Sequence, residues 1–165
     1  ENMNTQNSEP TATPTLTPTP TPVPVVIELE AEDQPFAGNV KAATAGARGF
    51  SGTGFVEGFQ DDTDTCDFKV NVDIAGFYDL EFITMASDHK ENFVDLDGSN
   101  IGSVPTDTKE FAGSKIERVY LTKGMHTVTF RKSWGWVKLD KLIITSSKPL
   151  PEDLYEVSAK LIDLM

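Results

Sequence analysis

Apolar and polar residues alternate in short runs from Val25 onward, the period of a half-buried β-strand. Ile27, Leu29 and Ala31 alternate with Glu28, Glu30 and Glu32, which predicts a first strand whose polar face carries three carboxylates. Phe68, Val70 and Val72 mark a strand across 65–72, and Tyr78, Leu80 and Phe82 mark another across 76–86. A run over 92–96 ends at Asp97-Gly98, a pair that favours a hairpin turn. Runs over 116–121, 127–131 and 137–145 complete the set, with Lys123-Gly124 turning between the first two. Strands at a spacing of about 8–12 residues, with no helical period from 25 to 147, predict an all-β fold, an antiparallel β-sandwich or jelly roll.

The two ends of the chain have a different texture. Residues 1–24 hold a Thr-Pro repeat, which lacks regular backbone donors and prefers an extended polyproline conformation, so this segment is expected to be a linker of the semi-rigid, often O-glycosylated kind found between extracellular modules. Residues 148–165 place Leu154, Val157 or Ser158, Leu161 and Leu164 on one helical face, with Pro151, Glu152 and Asp153 suited to a first turn. This reads as the start of a following domain, or as a helix packing back on the sandwich. The expected module is therefore 25–147, about 120 residues, a size ordinary for a sandwich.

Charge narrows the partners. Asp and Glu number 26 against 14 Lys and Arg, a formal net charge of -12 that opposes nucleic acid and anionic membranes by repulsion. Neutral ligands or cations fit better. Cys66 is the only cysteine, so an intrachain disulfide is impossible, and with only His89 and His126 beside it there is no zinc ligand set. Cys66 is expected to be an unreactive thiol in its strand. No run of eighteen apolar residues occurs, and no signal segment opens the chain, so a secretion signal, if there was one, is expected to have been removed already. The protein is expected to be secreted, extracellular and monomeric.

Two constellations carry candidate chemistry. Glu30 and Glu32 lie two apart on the first strand, and Asp140 lies in the last strand, which in a jelly roll commonly neighbours the first. Three converging carboxylates repel unless a cation joins them, and an all-oxygen set selects calcium; three solvated surface acids are the equal alternative. A glycosidase pair is rejected, since a raised-pKa acid needs an enclosed cleft, and no Ser-His-Asp order, Cys-His pair or HExxH motif is present. The second constellation is Trp134-Gly135-Trp136. Indole rings stack on the flat C–H faces of sugars. Trp134 is expected to be the exposed platform and Trp136 a core residue, with Phe59, Asp61, Asp62, His89, Asn92 and Lys132 as partners around the platform. His89 falls in a polar turn and His126 on a strand face, where solvated and satisfied histidines are the ordinary outcome.

Glu30-Ala31-Glu32, the run Gly49-Phe50-Ser51-Gly52-Thr53-Gly54-Phe55-Val56, and Trp134-Gly135-Trp136-Val137-Lys138-Leu139-Asp140-Lys141-Leu142 together resemble the pattern of family 35 carbohydrate-binding modules over about residues 27–146. The resemblance implies a non-catalytic jelly roll attached to a glycan-degrading enzyme. It also implies a structural calcium held by Glu30, Glu32 and Asp140 with carbonyls near Arg48 and Ser51. Members bind uronic-acid sugars, galactosyl units or β-mannans. Here Lys138 stands where an acid is common, joining the candidate ligand residues, and Phe111 stands where a tryptophan often does. The Thr-Pro linker resembles those of anaerobic cellulolytic bacteria, and the C-terminal segment the start of a family 26 mannanase domain. Together these imply β-mannan as ligand and a covalently attached mannanase as partner, with a spacer domain that binds no glycan as the competing class.

Overall fold

The computed structural model describes residues 8–15 and 24–148. Residues 8–15 are exposed and carry no regular secondary structure. The rest of the expected linker, and the expected C-terminal helix, lie outside the described residues.

Among the described residues eleven strands run β1 (Val26–Glu30), β2 (Phe36–Ala37), β3 (Lys41–Ala43), β4 (Phe55–Glu57), β5 (Thr65–Val72), β6 (Gly76–Met85), β7 (Lys90–Leu96), β8 (Ser99–Thr106), β9 (Ala112–Leu121), β10 (Gly124–Lys132) and β11 (Lys138–Ser146). They form two antiparallel sheets. One has the order β3-β4-β11-β6-β9, with β1 also on β11; the other has the order β2-β5-β10-β7-β8. β4 meets β11 at Val56↔Leu139 and β1 meets it from Lys141 to Thr145, so the two share one edge of β11 along its length. The result is an antiparallel sandwich of jelly-roll type.

The alternation read from the sequence sets what is buried. Phe68, Val70, Leu80, Phe82, Val94, Val128, Phe130, Leu139, Leu142 and Ile144 point between the sheets and are fully buried. Four rings run through this core, Phe59 to Phe130 at 5.1 Å, Phe130 to Phe82 at 5.4 Å and Phe82 to Phe68 at 6.2 Å between centroids. Burying such side chains contributes roughly 1.5–3 kcal/mol each. Asp97 at φ 49 and Gly98 at φ 86 make the expected hairpin turn between β7 and β8.

Three departures from strict alternation matter for the site. β1 stops at Glu30, and Ala31–Asp33 form a 3-10 turn, so Glu30 and Glu32 do not share one strand face as expected. β11 carries a bulge between Leu139 and Lys141, which leaves Asp140 unpaired against β6 and turns its side chain inward beside Leu139. β9 carries another opposite Tyr78 and Leu80, where Arg118 adopts φ 55.

Candidate functional site

The bulge at Asp140 and the 3-10 turn at Glu32 bring the three acids against one loop, residues 48–54. The Ser51 N–H donates to both Asp140 oxygens at 3.0 and 3.2 Å, and its hydroxyl donates to Glu30 at 2.8 and 2.9 Å and to Asp140 Oδ2 at 3.1 Å. The Thr53 and Gly54 N–H groups donate to Glu32 Oε1 at 2.7 and 3.0 Å. Gly52, at φ +59, allows this approach: a Cβ there would sit 2.4 Å from Glu32 Oε1. Arg48 is exposed and contributes no side-chain contact to the cluster.

The cluster is short of positive charge. Asp140 is buried, and burial pushes its carboxyl above the ordinary range; the Ser51 donors pull it down while Glu30 pushes it up further. Glu32 Oε2 is buried with no hydrogen-bond partner. An orphaned carboxylate oxygen next to two more carboxylates is costly as it stands. Among the described residues no group of three or more His, Cys, Asp or Glu side chains stands arranged to hold a metal ion; the Ser51 hydroxyl bridges Glu30 and Asp140. The donor set nevertheless fits a hard cation: all oxygen, anionic, with one oxygen unused.

The tryptophans lie beyond the same end of β11. Gly135, at φ 88, breaks the chain between them as expected, and the Trp136 N–H donates to the Phe59 carbonyl at 3.0 Å. Trp136 itself has φ 23, a left-handed conformation that costs a bulky residue on the order of 1–3 kcal/mol. That geometry throws the indole outward. Trp136 is 62% exposed and Trp134 61%, so the expectation that Trp136 is a core residue is corrected: the strand begins only after it and the inward position passes to Val137.

Trp136 forms one wall of a cleft of about 560 Å³ whose other walls include Lys41, Glu57, Gln60, Ser87, Lys109 and Lys138. Lys138 donates to Glu57 at 2.6 Å and lies 5.1 Å over the Phe55 ring, and Lys41 approaches Glu57 at 4.0 Å. Gly46, from the stretch just before the loop that meets the acids, also lines this cleft. Trp134 faces elsewhere: its N–H donates to the Glu91 carbonyl at 2.9 Å, and its ring meets His89 edge-on at 5.2 Å. His89 is paired with Asp107.

The remaining expected partners divide. Asp61 and Asp62 are exposed, with Asp61 accepting from Asn39 at 3.0 Å. Lys132 is half-buried and approaches Gly135. Phe59 and Asn92 are corrected: both are fully buried, Phe59 in the aromatic core and Asn92 donating to the Arg131 carbonyl at 3.2 Å, so neither offers a side chain to a ligand. Asn92 alternates with Val94 on the inward face of β7, a position that its own polarity concealed.

Asp64, which the pattern did not single out, holds the loop below Trp136. It accepts from the N–H groups of Asn39 at 2.6 Å, Gln60 at 2.7 Å and Asp61 at 2.7 Å. Burial acts to raise its pKa, but the backbone donors of Asn39, Asp61 and Gln60 and the Asn39 amide outweigh it and hold the carboxyl at about 2. The cue in the sequence was Gly38 and Gly58 flanking the contact, where a Cβ would come 2.0 Å from Asp64 Oδ1 and 2.3 Å from the Asn39 carbonyl. Cys66 is a buried thiol, as expected, pushed up to about 12 by burial and by Asp67.

A jelly roll that presents an exposed indole on the wall of a cleft has the form of a ligand-binding module. Residues 27–147 match the family model described as carbohydrate binding module (family 35), and the chain belongs to that family, a non-catalytic one. It is 31% identical over 134 residues to mannan endo-1,4-beta-mannosidase B of Piromyces sp, an alignment covering 80% of this chain and 23% of that protein. It is 30% identical over 127 residues to a mannan endo-1,4-beta-mannosidase of Thermothelomyces thermophilus, covering 74% of this chain and 26% of that one. The chain thus spans about a quarter of the length of these curated relatives. The crystal structure of the Podospora anserina GH26-CBM35 β-(1,4)-mannanase superposes with a TM-score of 0.71 at 27% identity, over 76% of this chain and 28% of that one. A family 35 carbohydrate binding module from Clostridium thermocellum shares the fold, with a TM-score of 0.65 at 18% identity over 76% of this chain and all of that one.

Proposed function

We propose that this module binds β-mannan of the plant cell wall in the cleft beside Trp136 and holds a tethered, secreted mannanase on its substrate. The observation that carries this reading is Trp136, exposed on the cleft wall despite a strained backbone. Strain at an exposed aromatic is maintained by the Phe59 carbonyl contact and has no packing benefit to explain it. The indole supplies a stacking face, and Gln60, Ser87 and the lysines supply polar edges for sugar hydroxyls. Glu57 pairs with Lys138 at 2.6 Å and approaches Lys41 at 4.0 Å, and the mannan-degrading relatives support a mannan ligand.

A second reading rests on Lys109: with Glu57 shared between the other two lysines, a third cation in the cleft favours a uronic-acid sugar. Affinity electrophoresis in galactomannan, glucomannan, xylan and pectin gels separates these. Retardation in the mannans supports the first reading, retardation in pectin alone supports the second, and none in any gel leaves a spacer.

A calcium ion belongs to the same proposal. Glu30, Glu32 and Asp140 are its side-chain ligands, with carbonyls near Arg48 and Ser51 as further donors, and the ion supplies the positive charge that Asp140 and the orphaned Glu32 oxygen lack. It acts structurally, tying β1, β11 and the loop at 48–54 together. The ion takes no part in chemistry.

A further inference from the structure

Trp134 and Trp136 are separated by one residue, so their Cα atoms lie within about 7 Å of each other, yet the two indoles have different surroundings. Trp136 walls the cleft, while Trp134 stands against His89. Between them runs a rim made of two loops, 86–89 between β6 and β7 and 107–111 between β8 and β9. The loops are joined where the Ala86 N–H donates to the Thr108 carbonyl at 2.9 Å. Each loop serves both rings. Ser87 and Lys109 line the cleft, and two residues from each in sequence, His89 and Asp107 pair with one another beside Trp134.

The Trp134 side is anchored but open. The backbone N–H donates to the Glu91 carbonyl at 2.9 Å, and the ring meets His89 at 85° between planes, with 61% of the residue left exposed. His89 is held through both ring nitrogens, Nδ1 by Asp107 and Nε2 by Glu91 at 3.9 Å. A large ring anchored in this way loses little freedom when a flat ligand stacks on it. The charge also changes across the rim. Lys41, Lys109 and Lys138 line the cleft, whereas Asp107 and Glu91 flank the support of Trp134, so a carboxylated sugar is repelled there and an uncharged one is not. A cleft of about 560 Å³ encloses only a drug-sized ligand, so a polysaccharide seated in it must continue past one of its walls.

We propose that a polysaccharide bound in the cleft crosses the rim formed by 86–89 and 107–111 and stacks an uncharged sugar on Trp134. Trp134 is then a second subsite, in series with Trp136, and it makes the module favour long neutral chains over short fragments. This inference rests on the mannan reading of the cleft given above.

Calorimetric titration of the whole 165-residue chain with β-1,4-linked mannotriose and mannohexaose tests it. Trp134→Ala keeps the backbone bond to Glu91; it should lower affinity for the hexaose about three- to tenfold and for the triose by less than about twofold. Trp136→Gly should abolish binding of both. A second readout needs no variant: in hydroxyl-radical footprinting of the unaltered chain, the hexaose should protect Trp134 and Trp136, and the triose Trp136 alone. Protection of Trp136 by the hexaose with Trp134 fully reactive, or a Trp134→Ala effect equal for the two lengths or absent, would overturn this inference and leave the mannan reading standing. Failure of both sugars to bind the unaltered chain would overturn the two together.

Discussion

In the proposed function Trp136 couples backbone strain to ligand presentation, and substitution should separate the two. Glycine tolerates φ 23 without cost, so Trp136→Gly should leave the melting temperature unchanged or raise it while removing mannan retention. Trp134→Ala should weaken retention less, since Trp134 sits against His89 outside the cleft walls. Asp64 works in the opposite sense. Asp64→Ala leaves the Asn39, Gln60 and Asp61 N–H groups without their acceptor and should cost about 2–3 kcal/mol in denaturant unfolding. Its pKa is lowered on folding from 3.8 to about 2, so its stabilising contribution is complete above about pH 4 and is lost as pH falls toward 2. An acid titration should show that step in the unaltered protein and not in Asp64→Ala. Both roles were only half visible in the sequence. The Trp-Gly-Trp spacing marked the site but not which ring lines it, because the choice depends on where β11 begins; Asp64 looked like one more loop acid among Asp61 and Asp62.

At the scale of elements, β11 organises the site. Its bulge shifts the inward parity from Val137 and Leu139 to Leu142 and Ile144, a break readable in the sequence, and that shift delivers Asp140 to the loop at 48–54. The longer strands were legible because one face is apolar throughout. β2, β3 and β4, two or three residues each, are too short for a period, and the 3-10 turn at Ala31–Asp33 imitates strand alternation. If calcium closes the acidic cluster, chelation should lower the melting temperature and also weaken glycan retention, since Gly46 links the loop's neighbourhood to the cleft. Unchanged melting would remove Glu30, Glu32 and Asp140 from a metal site. A second clamp joins the β7–β8 hairpin to β10, where His126 Nδ1 donates to Asp97 at 2.6 Å and Nε2 donates to the Thr122 carbonyl at 2.7 Å. Burial lowers the His126 pKa, but Asp97 and the Thr122 carbonyl outweigh it and raise the value above 6.5. The clamp is therefore complete below about pH 6.5 and is lost as pH rises through the folded value, a decline that His126→Asn should lack.

Across the whole molecule, both candidate sites lie along one strand. Val25 and Ser146 bond to each other where the chain enters and leaves, while Lys138 at the start of β11 borders the cleft, some eight residues or about 26 Å away. On the proposed function, a tether at one end and a sugar platform at the other would let a linked enzyme reach the polysaccharide beside the bound module, and the gain would be effective concentration. It should be greatest on insoluble or dilute substrate. The decisive measurement is affinity electrophoresis of the unaltered chain and Trp136→Gly in galactomannan and glucomannan. Strong retardation of the first, none of the second, and a melting temperature of the second no lower than that of the first are expected. Equal mobility of the two proteins in both gels would contradict mannan binding at Trp136.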